Sequence, residues 1–381
     1  MTDVTEPGGD RLLRNLQAFR TPLSRVSGVG IALPERVVTN EDVAATVEAP
    51  APIKRRLARI IHTMTLIRTR RYAEPGTSPS DLAAVAARDA LARAGLATRE
   101  VDTLIFAGTD IDMVEPATAN ILQKKLGLRI ANSFDVSNAC NSFLQAMNVA
   151  NSLIATGAAR RVLIAAGEVG SFWVNRTIES MEDLAVKIGG LTLGDAGAAV
   201  VMEPGEPGEE GDGPGNGNGS CRAPGLLEVN LLTLGEHWEL CRGPERLGWR
   251  SPGDGRLHGW FYLDMPGLAK VARSASVEYF RSYARYREEI HGERHIQDSL
   301  DQVIPHQISP RFIGEIVRSV RADLRSVAVT ADVYGNTAST AIPLALRTLI
   351  DRGTLAPGSG QEVMLYGAAC GFGLGHIRLR L

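Results

Sequence analysis

Three residues of this chain have the types and surroundings that acyl-transfer chemistry requires. Cys140 stands in FDVSNACNSF, after a short strand predicted from Ser133 to Val136 and at the head of an uncharged helical run. A thiol at a helix N-terminus feels the macrodipole and nearby N–H groups, and both favour the nucleophilic thiolate. A lone buried cysteine is ordinarily a small hydrophobe, so its partners carry the argument. His306, in VIPHQISPR, follows an apolar strand and Pro305, a position from which a loop side chain projects into a site. Asn336, in DVYGNTAST, belongs to a Gly-Asn turn before a helix, where a turn or cap role is the plainer account. Together they supply a nucleophile, an imidazole and a fixed amide. The imidazole and the amide can donate to a thioester carbonyl as it becomes an enolate or oxyanion.

The elements that must position these residues come in two similar series. VDTLIF at 101 leads to a loop and helix, then Cys140, then RVLIAAG at 161; LDQVIP at 300 leads to a loop and helix, then Asn336, then EVMLYGA at 362. The strand-to-strand separations are 60 and 62 residues, and each series closes on a glycine-punctuated apolar segment, GDAGAAVVM or GFGLGHIRLRL. This is duplication at domain scale rather than a solenoid repeat. Strands alternating with helices, and lacking strict polar alternation, predict α/β layers with sheets buried on both faces. The expected organisation is an N-terminal arm at 1–25, a first half at 26–202, a Gly/Glu-rich flexible loop at 203–225 and a second half at 226–381. The arm holds a short amphipathic piece around Leu12 to Phe19 and no chemistry. Further helices are predicted after Thr39 or Asn40, over 80–95 with Ser80 capping it and Gly95 ending it, and near 117–126.

Composition narrows the function. The 381 residues are 44% hydrophobic and 22% charged, enough for a large core, and the net charge of −2 gives no global electrostatic case for nucleic acid or an anionic membrane. The run from Val136 to Ala159 is uncharged and long enough to span a bilayer, but its asparagines, serines and Gln145 are too polar for hydrocarbon, so a buried helix is expected. The four cysteines form no CxxC pair, which argues against a zinc ribbon, a disulfide framework or a thioredoxin-type motif. No signal peptide is read at the N-terminus. A soluble protein of a reducing compartment, the cytoplasm, is expected. His291 and His295, like His237 and Cys241, are spaced i,i+4, but solvated helix faces account for them better than a metal, so none is expected. Gly371, Gly373 and Gly375 have no βαβ unit behind them to make a dinucleotide loop. Cys370 is read as a buried structural thiol.

With these segments in hand, the sequence resembles the thiolase superfamily, and within it the β-ketoacyl-acyl-carrier-protein synthase III branch. The resemblance covers about residues 26 to 381 and rests on DVSNAC, GDAGAAVV, IPHQISPR, YGNTASTAIPLAL and the glycine-rich C-terminal strands. It implies a thiolase-like αβαβα fold of two duplicated halves. It also implies that Cys140 is acylated while His306 and Asn336 polarise the second thioester. The implied oxyanion hole is the N–H of Cys140 plus one from the Gly367–Ala368–Ala369 turn, placed at Ala368. Arg311 would be the basic residue near the pantetheine mouth, although an ordinary helix-start cation fits it equally. No bound cofactor is implied. The substrates would be phosphopantetheine thioesters of coenzyme A or acyl carrier protein, with a small-molecule acceptor, in a homodimer.

Departures from the family pattern are informative. Leu66 replaces the glycine of a Gly-Ile-Arg-x-Arg segment, and Ile60 and Met64 stand where a tryptophan and an arginine grip coenzyme A. Asn-Ser-Phe follows Cys140 in place of Ala-Gly-Phe, and the C-terminal turn is GAACGFG. They point to a specialised branch of polyketide or antibiotic metabolism. The leading expectation is decarboxylative condensation of an acyl-Cys140 with a malonyl-type thioester. The alternative passes the acyl group to a hydroxyl or amine, with His306 as general base.

Overall fold

The structure is a computed structural model that describes residues 10–205, 223–243, 261–293, 299–323 and 326–381. The first half runs β1 (Gln17–Ala18), β2 (Ser24–Ala32), β3 (Arg36–Thr39), α1 (Asn40–Thr46), α2 (Ala51–Lys54), α3 (Leu57–Thr65) and β4 (Thr69–Tyr72). It continues through α4 (Pro79–Ala94), β5 (Thr103–Phe106), α5 (Thr118–Leu126), β6 (Asn132–Asp135), α6 (Ser142–Ala155), β7 (Val162–Val169), α7 (Met181–Lys187) and β8 (Asp195–Pro204). The second half runs β9 (Gly225–Thr233), β10 (Cys241–Arg242), β11 (Tyr262–Leu263), α8 (Met265–His291) and β12 (Gln302–Pro305). It ends with α9 (Pro310–Val320), α10 (Ala331–Tyr334), α11 (Ala341–Asp351), β13 (Glu362–Ala369) and β14 (Gly373–Arg380).

Two five-stranded sheets carry the molecule, ordered β2-β8-β7-β5-β6 and β1-β9-β14-β13-β12. In each, a parallel pair (β5 with β7, β12 with β13) is followed by antiparallel partners (β7 with β8, β13 with β14). The orders therefore correspond from β2 and β9 through β8 and β14 to β7 and β13, then β5 and β12. Where β6 lies beside β5, an isolated parallel bridge joins Val327 to Val303 of β12.

Packing explains the layers. Every residue of β5 and β7 is buried, as strands covered on both faces must be. The alanine-rich face of α4, with α5, covers one side of the first sheet. α6 and α11 fill the space between the sheets, where Phe143, Met147, Leu346 and Leu349 meet strand residues from both halves. α8 and α9 cover the outer face of the second sheet. This is the thiolase fold, layered αβαβα.

Several local expectations change. Helix α4 is capped by Ser78, whose hydroxyl and backbone N–H both donate to Asp81, so the start predicted at Ser80 falls two residues late; Gly95 ends the helix as expected, at φ 68°. The arm's amphipathic piece packs onto the second half: Leu12, Leu13 and Leu16 are buried in one cluster with residues of α8, and β1 extends the second sheet. The uncharged run becomes α6, which begins at Ser142; Asn151, buried within it, accepts the Ser24 hydroxyl at 2.7 Å. Most of the Gly/Glu-rich tract lies outside the described residues. No helix among the described residues is long and apolar enough to cross a membrane.

Candidate active site

The chain ends of the two sheets bring the three candidate residues to one place. Cys140, His306 and Asn336 line a chamber of about 20 Å³, room for roughly one water, together with Ala368, Cys370 and Phe372. Cys140 follows β6, His306 follows β12, and Asn336 precedes the turn into α11.

The Cys140 turn is held by its neighbours. Ala139 takes φ 47°, a left-handed conformation that costs an L-residue on the order of 1–2 kcal/mol. The Ser142 hydroxyl pins it, donating to Ala139 O at 2.6 Å and accepting the Asn138 N–H at 2.8 Å. Asn141, 2% exposed, lies against the β13–β14 turn so closely that a Cβ at Gly367 would collide with its Oδ1. Glycine at 367 is thus what lets the C-terminal turn approach Cys140.

His306 is fixed by its backbone N–H, which donates to Tyr366 O at 2.8 Å. The following Gln307 clamps the loop: its Oε1 accepts from Thr330 N at 2.8 Å while Nε2 donates to Pro305 O and Ala328 O. The His306 ring is buried and its Nδ1 has no partner among the described residues.

Asn336 belongs to the second half but is held by the first. Its N–H donates to Thr192 O and its carbonyl accepts from Gly194 N, both at 3.0 Å. Gly335 reaches this position at φ 70°, with Thr192 O only 2.5 Å from where a Cβ would stand. The Asn336 Oδ1 accepts the Ala338 N–H at 3.0 Å, so the amide presents Nδ2 as its free donor.

Electrostatics differ from the sequence expectation. Burial pushes the Cys140 thiol up to about 12, with the Glu168 carboxylate adding to it. The expected thiolate at a helix N-terminus is absent because α6 starts two residues later and desolvation outweighs the local N–H groups. Those groups are the N–H of Cys370 and of Cys140 itself, both aimed at the sulfur. Ala368, the position expected to supply the second oxyanion-hole N–H, also lines the chamber. Burial lowers the His306 ring to about 4, leaving a neutral imidazole.

Glu168, at the end of β7, was not anticipated. It is 1% exposed and accepts the Ser339 hydroxyl, Thr109 N at 2.7 Å and Asp110 N at 3.1 Å. Burial, with Asp110 beside it, pushes its carboxyl up to about 8. Its signal in the sequence was a lone carboxylate inside the apolar strand VLIAAGEV.

Other expectations resolve differently. Cys241 and Cys370 form a disulfide across 129 residues, whereas the sequence reading has Cys370 as a buried structural thiol and Cys241 as part of a solvated face. No CxxC spacing announces it, because the pairing is made by tertiary contact of β10 with the turn between β13 and β14. Cys140 is the free cysteine of the described residues. His237 sets its ring edge-on to Phe372, and His291 ends α8, while His295 lies outside the described residues. Among the described residues no cluster of His, Cys, Asp and Glu could hold a metal. Arg311 is exposed in the first turn of α9 and does not line the chamber; the next residue, Phe312, does.

Sequence comparison gives this site its class. Family models for 3-oxoacyl-[acyl-carrier-protein] synthase III and for its C-terminal part match residues 134–213 and 294–381. The β-ketoacyl-[acyl-carrier-protein] synthase III of Methylococcus capsulatus is 30% identical over 362 residues, 94% of this chain and 98% of that protein. That of Roseiflexus sp. is 32% identical over 344 residues, 90% and 94% of the two chains. In fold, the cerulenin-bound crystal structure of OleA from Xanthomonas campestris superposes with a TM-score of 0.77 at 22% identity, covering 95% of this chain and 98% of that one. The site and fold define an acyltransferase of the condensing-enzyme class. The chain belongs to the 3-oxoacyl-[acyl-carrier-protein] synthase III family.

Proposed function

We propose that this enzyme loads an acyl group from a coenzyme A or acyl-carrier thioester onto Cys140 and condenses it with a malonyl-type thioester. The observation that carries the proposal is the shared chamber, in which a free thiol meets a neutral imidazole and an amide donor. In the first step the Cys140 sulfur bonds to the acyl carbon, the carrier's C–S bond breaks, and the thiol proton passes to the departing thiolate. The N–H groups of Cys140 and Cys370 face the sulfur, where the tetrahedral oxyanion would form. In the second step the malonyl thioester loses carbon dioxide and its enolate oxygen accepts from His306 and Asn336 Nδ2. The enolate carbon then bonds to the acyl carbon, the bond from that carbon to the Cys140 sulfur breaks, and the departing thiolate takes a proton from solvent.

The buried, neutral His306 supports carbon–carbon bond formation over ester or amide synthesis. A ring that protonates near 4 is a weak general base and a competent neutral donor. Ile60 and Met64 on α3 lack the aromatic and cationic grip of a coenzyme A site, which supports a specialised acyl donor or acceptor. Arg311, exposed beside Phe312, is suited to a carrier's phosphate or acidic surface. The short edge strand β6 supports a homodimer built by pairing of two β6 strands across a two-fold axis.

Labelled carbon dioxide release from a malonyl thioester is the test. Wild type releases it in step with turnover; Asn336→Ala keeps acyl-enzyme formation, read by intact mass, and slows release by about 10²–10³-fold. Turnover of an alcohol or amine acceptor without release would overturn the proposal. A monomer by sedimentation at micromolar concentration would remove the dimer.

A further inference from the structure

A second, much larger cavity adjoins the chamber. It has a volume of about 620 Å³ and lies between α8, α9 and the ends of β12 and β13. His306, Ala368, Ile308, Phe312 and Ala272 line both spaces, so the two share a wall. The chamber on the Cys140 side holds about one water, too little for an acyl group of more than a few atoms.

The lining identifies the occupant. Most of it is aliphatic or aromatic, from Val277 and Phe280 on α8 and Ile313, Ile316 and Val320 on α9. Its hydroxyls are already engaged. Ser276 and the Tyr366 phenol bond each other at 2.9 Å, Ser319 donates to Glu315 O at 2.8 Å, and Ser326 donates to Asp323 O at 3.0 Å. A pantetheine arm, with two amides and a hydroxyl, would leave polar groups unpaired there. A hydrocarbon chain brings no polar group that needs a partner. Among the described residues the lining becomes cationic only at the exposed Arg281 and Arg321.

We infer that the α8–α9 cavity binds the alkyl chain of a fatty acyl thioester whose carbonyl is held at Cys140 and whose chain passes the Phe312 side of the shared wall. The inference rests on acylation of Cys140 and adds the substrate class: medium- and long-chain acyl groups rather than acetyl. The volume lies in the range of sites that enclose ligands of this size.

The test is acylation of Cys140 by a series of thioesters from acetyl to hexadecanoyl, read by intact mass. Efficiency is expected to rise about three- to fourfold per methylene until the cavity is filled. Ala284→Trp and Val277→Trp, which place bulk in the cavity, are expected to lower the dodecanoyl-to-acetyl ratio by about tenfold or more. A flat chain-length profile in the wild type, or an unchanged ratio in folded tryptophan variants, overturns the inference. Binding of a fluorescent polyene fatty acid to the Cys140→Ala protein tests the cavity apart from the chemistry. Saturable binding displaced by dodecanoate supports the site even if no thioester acylates Cys140, an outcome that would instead defeat the proposed reaction. No such binding defeats the site.

Discussion

Glu168 of the first half accepts the hydroxyl of Ser339 of the second, three residues beyond Asn336. The same carboxyl gathers the N–H groups of Thr109 and Asp110, so one buried side chain ties the β5 loop, the end of β7 and the Asn336 turn together. Because Thr192 and Gly194 also hold the Asn336 backbone, the donor amide is placed largely by the half of the molecule to which it does not belong.

That arrangement makes stability pH-dependent. The Glu168 carboxyl, raised to about 8 by burial, holds a proton in the folded chain that an unfolded glutamic acid releases near 4.5. Between those values folding binds more protons than unfolding, so this group's contribution falls as pH rises, by about 1.4 kcal/mol per unit at most. Denaturant midpoints at pH 5 and pH 8 should show a loss in the wild type that Glu168→Gln reduces. Equal slopes for the two proteins would place the proton elsewhere.

His306 should leave no inflection near its ordinary value of 6.5. Burial lowers it to about 4, so it is a neutral donor around neutral pH. The rate of carbon dioxide release as a function of pH is the measurement, and a histidine-like break between pH 6 and 7 would show that the ring is solvated in the working enzyme.

Gly335→Ala should be costly. Its φ of 70° and the 2.5 Å approach of Thr192 O leave no room for a methyl group. A loss of about 1–3 kcal/mol is expected. Displacing Asn336, it should also slow decarboxylation more than it slows acylation of Cys140. Single-turnover mass spectrometry set beside carbon dioxide release separates the two.

Leu66 occupies a left-handed position at φ 62°, capping α3, with 40% of its surface exposed. Glycine adopts that conformation without strain, so Leu66→Gly should stabilise the fold by up to about 1 kcal/mol. A lower melting temperature would show that contacts of the leucine outweigh its backbone strain.

The two-series plan, the order of elements along each half and the three residues of the chamber are legible in the amino-acid sequence. Those are encoded by patterns along the chain: strand hydrophobicity, glycine punctuation and the segments around Cys140, His306 and Asn336. Tertiary structure decided what depends on distance and solvent. The N–H of Cys370, in the turn between β13 and β14, faces the Cys140 sulfur from the other half of the chain. Cys241 meets Cys370 across 129 residues, beyond the reach of spacing rules. The protonation of Cys140, His306 and Glu168 reversed or escaped expectation for one reason. Desolvation is set by the layers that close over a residue, and those layers come from parts of the chain far from it.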